Sequence, residues 1–227
     1  MEEELKEQIK NDAAKVIIIL KEIDSNLKDN VALNEKNVEI HIMPDCKLEN
    51  GKMGIYMFCY RYKGKEVFLK IGKAGEKTKA RFSTQHYCVN KTKSTLAKSL
   101  IKSIQEDIID NKVLEEIKQE ITKIITKEEM MQILDNSDNI NLKEQKEKIK
   151  DWMKKNLTKI NIVLDASLEN RVLSFFEEYF IFKYNPIFEG KAYEKRNVGE
   201  QDGNWKIKNK RVKRIFRRNE CEFCNTW

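Results

Sequence analysis

GIYMFCYRYKGKEVFLKIGKAGEKTKAR, residues 54–81, decides how the rest of the chain is read. The apolar and aromatic run from Gly54 to Tyr60 predicts a strand. Lys63-Gly64-Lys65 is a polar reversal, and residues 66–71 predict a second strand that stops at Gly72. β-branched and aromatic runs on either side of a short glycine-containing link form a hairpin. A helix follows, carries Arg81 and continues to about His86. Four residues at the edges of this unit, Tyr56, Lys70, Lys73 and Arg81, can all face one anion.

Upstream, Leu5, Ile9, Val16, Leu20, Ile23 and Leu27 recur at helical spacing, so residues 2–28 predict an amphipathic packing helix. Val38, Ile40 and Ile42 alternate with polar residues as a short half-buried strand, and Asn50-Gly51 turns the chain into the hairpin. Downstream, Ser94 or Thr95 caps a helix beginning near Leu96. Apolar faces at Leu100, Ile101, Ile104 and Ile108, and at Leu114, Ile117, Ile121 and Ile124, make residues 90–157 a helical insertion, with a loop at 135–139. Ile160, Ile162 and Leu164 alternate as a third core strand. Ser167 then caps a helix from Leu168 to Tyr184, which Pro186 ends. The expected organisation is an N-terminal extension (1–47), a core with the insertion (48–190), and a basic tail (191–227).

Composition narrows the class of partner. Charged residues make up 36% of the chain and the net charge is +7, which favours an anionic partner, nucleic acid above all. No apolar run reaches the length of a spanning helix, so a membrane is not expected as partner. The acidic start Met1-Glu2-Glu3-Glu4 lacks a secretory pattern, and five cysteines, an odd number, fit reduced thiols in a cytoplasm. Cys221 and Cys224 have half of a zinc spacing but no second pair, so free thiols are the simpler reading.

Gly54-Ile55-Tyr56, Lys70-Ile71-Gly72, Lys73 and Arg81, followed much later by Phe176-Glu177-Glu178-Tyr179-Phe180-Ile181 and Tyr184-Asn185-Pro186, resemble the GIY-YIG nuclease family. The resemblance covers residues 52–87 and 158–190, with lysine at position 70 where the family usually has tyrosine. It implies an α+β fold: a small three-stranded mixed or antiparallel sheet flanked by helices. It also implies a metal-dependent DNA endonuclease, restriction-like in its sequence specificity and in this lysine. The alternatives are a nucleic-acid-binding protein on the same fold that lacks catalysis, and a structure-specific or RNA nuclease.

By this resemblance, Tyr56 takes the proton from water, Lys70 supplies positive charge or is itself the base, and Arg81 and Lys73 hold phosphate oxygens. Glu177 holds a divalent metal, Mg²⁺ or another such as Mn²⁺. Gln85 and His86, about a turn after Arg81, are auxiliary candidates. The family's asparagine after the proline falls here on Glu189, with Asn185 and Asn197 as substitutes. Lys206, Lys208, Lys210, Arg211, Lys213, Arg214, Arg217 and Arg218, interleaved with Trp205, Ile207 and Phe216, are expected to bind double-stranded DNA. Cutting both strands points to a homodimer. Singly, each residue has an ordinary structural role: a core tyrosine, solvated lysines, an exposed glutamate pair. Their order around one hairpin and one later helix carries the expectation.

Overall fold

The structure is a computed structural model that describes residues 2–89, 95–106, 111–135 and 142–188. Strands β1 (Glu39–Ile42), β2 (Lys52–Tyr62), β3 (Lys65–Ala74) and β4 (Leu157–Asp165) form one sheet in the order β1-β4-β2-β3, antiparallel throughout. The sheet therefore has four strands, not three, and is not mixed. The additional strand is β1, from the stretch expected to be an extension. Helix α1 (Glu2–Ile23) from the same stretch is also packed into the core.

The hairpin forms as the sequence indicates. Lys63 and Gly64 both have positive φ (49° and 79°), which is what a two-residue turn matched to strand twist requires. β3 does not stop at Gly72, however, because Gly54 still pairs with Ala74. The register shifts once, Phe58 facing Lys70 and Cys59 facing Phe68, so Leu69 is the extra residue of a bulge.

Both faces of the sheet are covered. On one face, Met53, Ile55, Met57, Ile71, Ile160, Ile162 and Leu164 pack with α1 and with α7 (Asn170–Tyr184). On the other, Tyr56, Phe58, Tyr60 and Val163 pack under α2 (Lys79–Ser83) and the insertion helices α3 (Leu96–Gln105), α4 (Lys112–Ile121), α5 (Lys127–Asp135) and α6 (Lys143–Asn156). Strict alternation places neighbouring residues of one strand in different layers. Among the insertion's ties to the sheet, the Tyr60 hydroxyl meets Glu116 (2.7 Å) and Glu120 (3.1 Å), and Glu120 also accepts from Trp152 Nε1 (3.1 Å).

Helix ends depart modestly from expectation. Thr95 caps α3 as expected, its hydroxyl accepting from Lys98 N–H at 3.2 Å. The helix expected from Leu168 begins at Asn170, with Glu169 as its cap. Ser167 instead donates its N–H to Asp165 Oδ1 in a turn. The helix carrying Arg81 ends at Ser83, and a 3₁₀ turn follows at Gln85–Tyr87. α7 ends in a left-handed Asn185 (φ 43°) before Pro186. The chain then crosses the outer edge of β3: Ile187 N–H donates to Phe68 O (3.0 Å) and Phe188 N–H to Leu69 O (2.7 Å). Glu189, the basic residues 206–218, and Cys221 and Cys224 lie outside the described residues. No helix among the described residues is long and apolar enough to cross a membrane.

Candidate functional site

The two glycines of the motifs clear the sheet for larger groups. Gly72 lies opposite Tyr56 across the strands. A Cβ there would come within 2.5 Å of the Tyr56 ring carbon Cζ and closer still to its hydroxyl. The phenol therefore lies over bare backbone. The Tyr56 ring is further enclosed by His86 (centroids 4.6 Å apart) and Phe58 (6.2 Å), and is 4% exposed. Gly54 performs the same service for α2. A Cβ at Gly54 would sit 2.5 Å from the Phe82 ring and 2.6 Å from the Ile162 carbonyl. Phe82 thus seats on the sheet, and its neighbour Arg81 is carried with it to the surface.

α2 has only five residues and needs outside support. Lys159 supplies it. Its ammonium donates to the carbonyls of Phe82 and Ser83 (3.5 Å), at the end of the helix where the last carbonyls lack partners, and to that of Pro44 (3.1 Å) after β1. Lys159 is buried, and burial pulls its pKa down to about 8. On the same face lies Lys70, also buried, across the strands from Phe58, whose other neighbour is Lys159.

His86 completes this face. Its Nδ1 accepts from the Leu96 N–H at 3.3 Å, so its proton belongs on Nε2. Nε2 is buried and has no hydrogen-bond partner among the described residues. Burial first, then the charges of Lys70, Lys159 and Arg81, push the imidazole pKa down to about 3. His86 is therefore a neutral donor at physiological pH rather than a base. Gln85, one residue earlier, is half-buried on the same turn.

Glu177 reaches the hairpin from the other layer. Lys73 pairs across the strands with Ile55, one step along from the Tyr56–Gly72 pair, so its side chain faces α7. Its ammonium donates to Ser174 Oγ (2.6 Å) and pairs with Glu177 Oε2 (3.0 Å). Glu178 alongside has its pKa raised, chiefly by burial, with Lys73 opposing and Glu177 adding to the rise. The expected residues thus form two groups. Tyr56, Lys70, Arg81 and His86 lie with the α2 side of the sheet, and Lys73 with Glu177 on the α7 side. Gly72 and Lys73 are consecutive on an edge strand, so the groups flank one strip of backbone. Lys73, expected beside Arg81 as a phosphate cation, is instead the partner of Glu177.

A metal here would rest on few protein donors. Among the described residues, no group of three or more His, Cys, Asp or Glu is arranged to hold an ion. Glu177, with the Ser174 hydroxyl one turn away, offers hard oxygen donors. That set fits Mg²⁺ or Mn²⁺, which keep much of their hydration and take further oxygens from a phosphate.

Lys159 and Asn161 were not singled out by the sequence. Both lie on the β4 face that alternation assigns to solvent, yet the insertion covers it and both are buried. Asn161 sits beside Tyr56 in the sheet and donates to the carbonyls of His41 (3.2 Å) and Met43 (2.9 Å). The signal was available in principle: the inserted residues 90–157, rich in apolar helix faces, must cover some face of the sheet. No family model, no curated protein and no solved structure matches this chain.

Proposed function

We propose that the chain is a metal-dependent DNA endonuclease of the GIY-YIG type, restriction-like in cutting at a specific sequence. The observation that carries this reading is the Tyr56 phenol laid over Gly72 on a cationic face, one residue from the Lys73–Glu177 pair. Hydrolysis needs a water to lose a proton, phosphoryl charge to be neutralised and the 3′ oxygen to leave. Tyr56 Oη, as the phenolate, takes the proton as the water oxygen bonds to phosphorus and the bond from phosphorus to the 3′ oxygen breaks. Lys70 and Lys159 lie on the same face of the sheet, and their positive charge favours the phenolate that accepts the proton. Arg81, exposed on α2, offers its planar fork to the phosphate. His86, neutral, can offer its Nε2–H as a hydrogen-bond donor without adding charge. A divalent ion at Glu177 would neutralise charge on the phosphoryl and leaving oxygens.

The basic residues 206–218 follow Phe188, where the described chain reaches the β3 edge, and in this reading they grip duplex DNA. Free thiols at Cys46, Cys59 and Cys88 suit a reducing cytoplasm. Two copies acting together would cut both strands.

The test is incubation of mixed-sequence supercoiled plasmid with Mg²⁺, Mn²⁺ or a chelator, followed by end mapping. The expected result is metal-dependent cutting at discrete ends, lost in folded Arg81→Ala and Glu177→Ala proteins. An intact plasmid across both metals, or full activity in both variants, would overturn the reading. The Lys73–Glu177 ion pair favours a second reading, a nucleic-acid-binding protein without catalysis, because the carboxylate already has a cation. Salt-sensitive DNA binding with no cleavage would select it.

A further inference from the structure

We infer that Lys73 is the resident counter-ion of Glu177, and that a substrate phosphate frees this carboxylate for a divalent cation by drawing the Lys73 ammonium away. Metal and nucleic acid would then bind cooperatively. The identity of the displacing anion rests on the nuclease reading; the competition at the carboxylate does not.

The geometry sets up the competition. Lys73 Nζ lies 3.0 Å from Glu177 Oε2, and an ion bound through that oxygen would be pressed against the ammonium. Two cations at such a distance repel strongly in a half-enclosed site. The side chains are 38% and 22% exposed, so the pair is sheltered enough to persist and open enough to exchange. Ser174 fixes the ammonium in place. Its hydroxyl donates to Asn170 O (2.9 Å), which turns its lone pairs towards Lys73. Lys73 stands on the edge strand, so its stem can swing outward round the rim towards the side where the Tyr56 ring covers Gly72 and Arg81 is exposed. A phosphate seated on that face is the anion its flexible stem can reach. Reciprocity follows: if phosphate raises metal affinity, metal raises affinity for the nucleic acid by the same factor.

The test is Mn²⁺ titration of the full chain, read by loss of the free-ion paramagnetic resonance signal, with Glu177→Gln as the blank. Without DNA, Lys73→Met should bind Mn²⁺ about tenfold more tightly than wild type, because the competent carboxylate is no longer occupied. The gain should vanish in Lys73→Met/Glu177→Gln. Lys73→Gln, which keeps a polar side chain, repeats the comparison if the methionine variant folds poorly. Adding a short duplex should tighten Glu177-dependent Mn²⁺ binding in wild type and have little effect in Lys73→Met. Equal or weaker Mn²⁺ binding in both Lys73 variants, or a gain that survives Glu177→Gln, overturns the inference. Binding as expected on a chain that never cuts DNA would leave the counter-ion role standing and sink the nuclease reading. Cutting by a chain whose Lys73 variants show no gain would do the reverse.

Discussion

Gly72→Ala should be destabilising only because Tyr56 is there. Gly72 has no positive φ among those found in the chain, so its backbone accepts alanine. Relieving the entropic cost of a strand glycine would by itself stabilise by about 0.5–1 kcal/mol. Against that, the new methyl would lie 2.5 Å from Tyr56 Cζ and 2.9 Å from Cε2, well inside ordinary contact. The ring is wedged between His86 and Phe58 and cannot simply slide. Overpacking of this kind costs about 1–3 kcal/mol, so the net loss should be near 1 kcal/mol. Urea denaturation of four proteins checks it: wild type, Gly72→Ala, Tyr56→Ala and the double variant. In the Tyr56→Ala background the glycine substitution should become neutral or mildly stabilising, a coupling of about 1–2 kcal/mol. Tyr56→Phe should give little relief, because the Cζ contact persists. An equal cost of Gly72→Ala with and without the Tyr56 ring would refute the seat described for the phenol.

Other expectations follow from the same contacts. Gly54→Ala should cost more than Gly72→Ala, since one clash is with the Ile162 backbone carbonyl, and Phe82→Ala should rescue it only in part, again by urea denaturation. The pKa of His86 falls from about 6.5 to about 3 on folding, so the unfolded chain binds its proton first. Stability should therefore be full above pH 6.5 and fall as pH drops towards 3, by at most about 5 kcal/mol from this group. His86→Asn, which keeps an acceptor for Leu96 N–H, should flatten that acid limb in denaturation curves between pH 7.5 and 5. Lys159, lowered from about 10.5 to about 8, should make stability rise with pH between about 8 and 10. Lys159→Met should abolish that rise and speed amide hydrogen exchange in residues 79–87 more than in β2.

The hairpin was legible because its turn and its alternation are local. Lys63-Gly64 marks the reversal, and apolar runs mark both strands. Gly72 was misleading: a glycine ending an apolar run reads as a stop, but here its missing side chain makes room for Tyr56 while pairing continues to Ala74. The strand near Ile40 was visible, yet its place in the sheet was not, because Glu39 pairs with Val163, far along the chain. Periodicity reports a strand's faces and says nothing of its neighbours. Lys159 and Asn161 were hidden by the assumption that one face of β4 meets water. The separation of Lys73 from Tyr56 was readable from period two alone, since Tyr56 pairs with Gly72, and grouping the motif residues around one anion obscured it.

The most direct test of the account is single-turnover cleavage of one duplex by wild type, Tyr56→Phe, Glu177→Gln and the double variant, all checked for folding. If the groups flanking β3 act on the same phosphodiester, each single change should abolish most of the rate, and the double should be little worse than either. Wild-type rates in either single variant would contradict it.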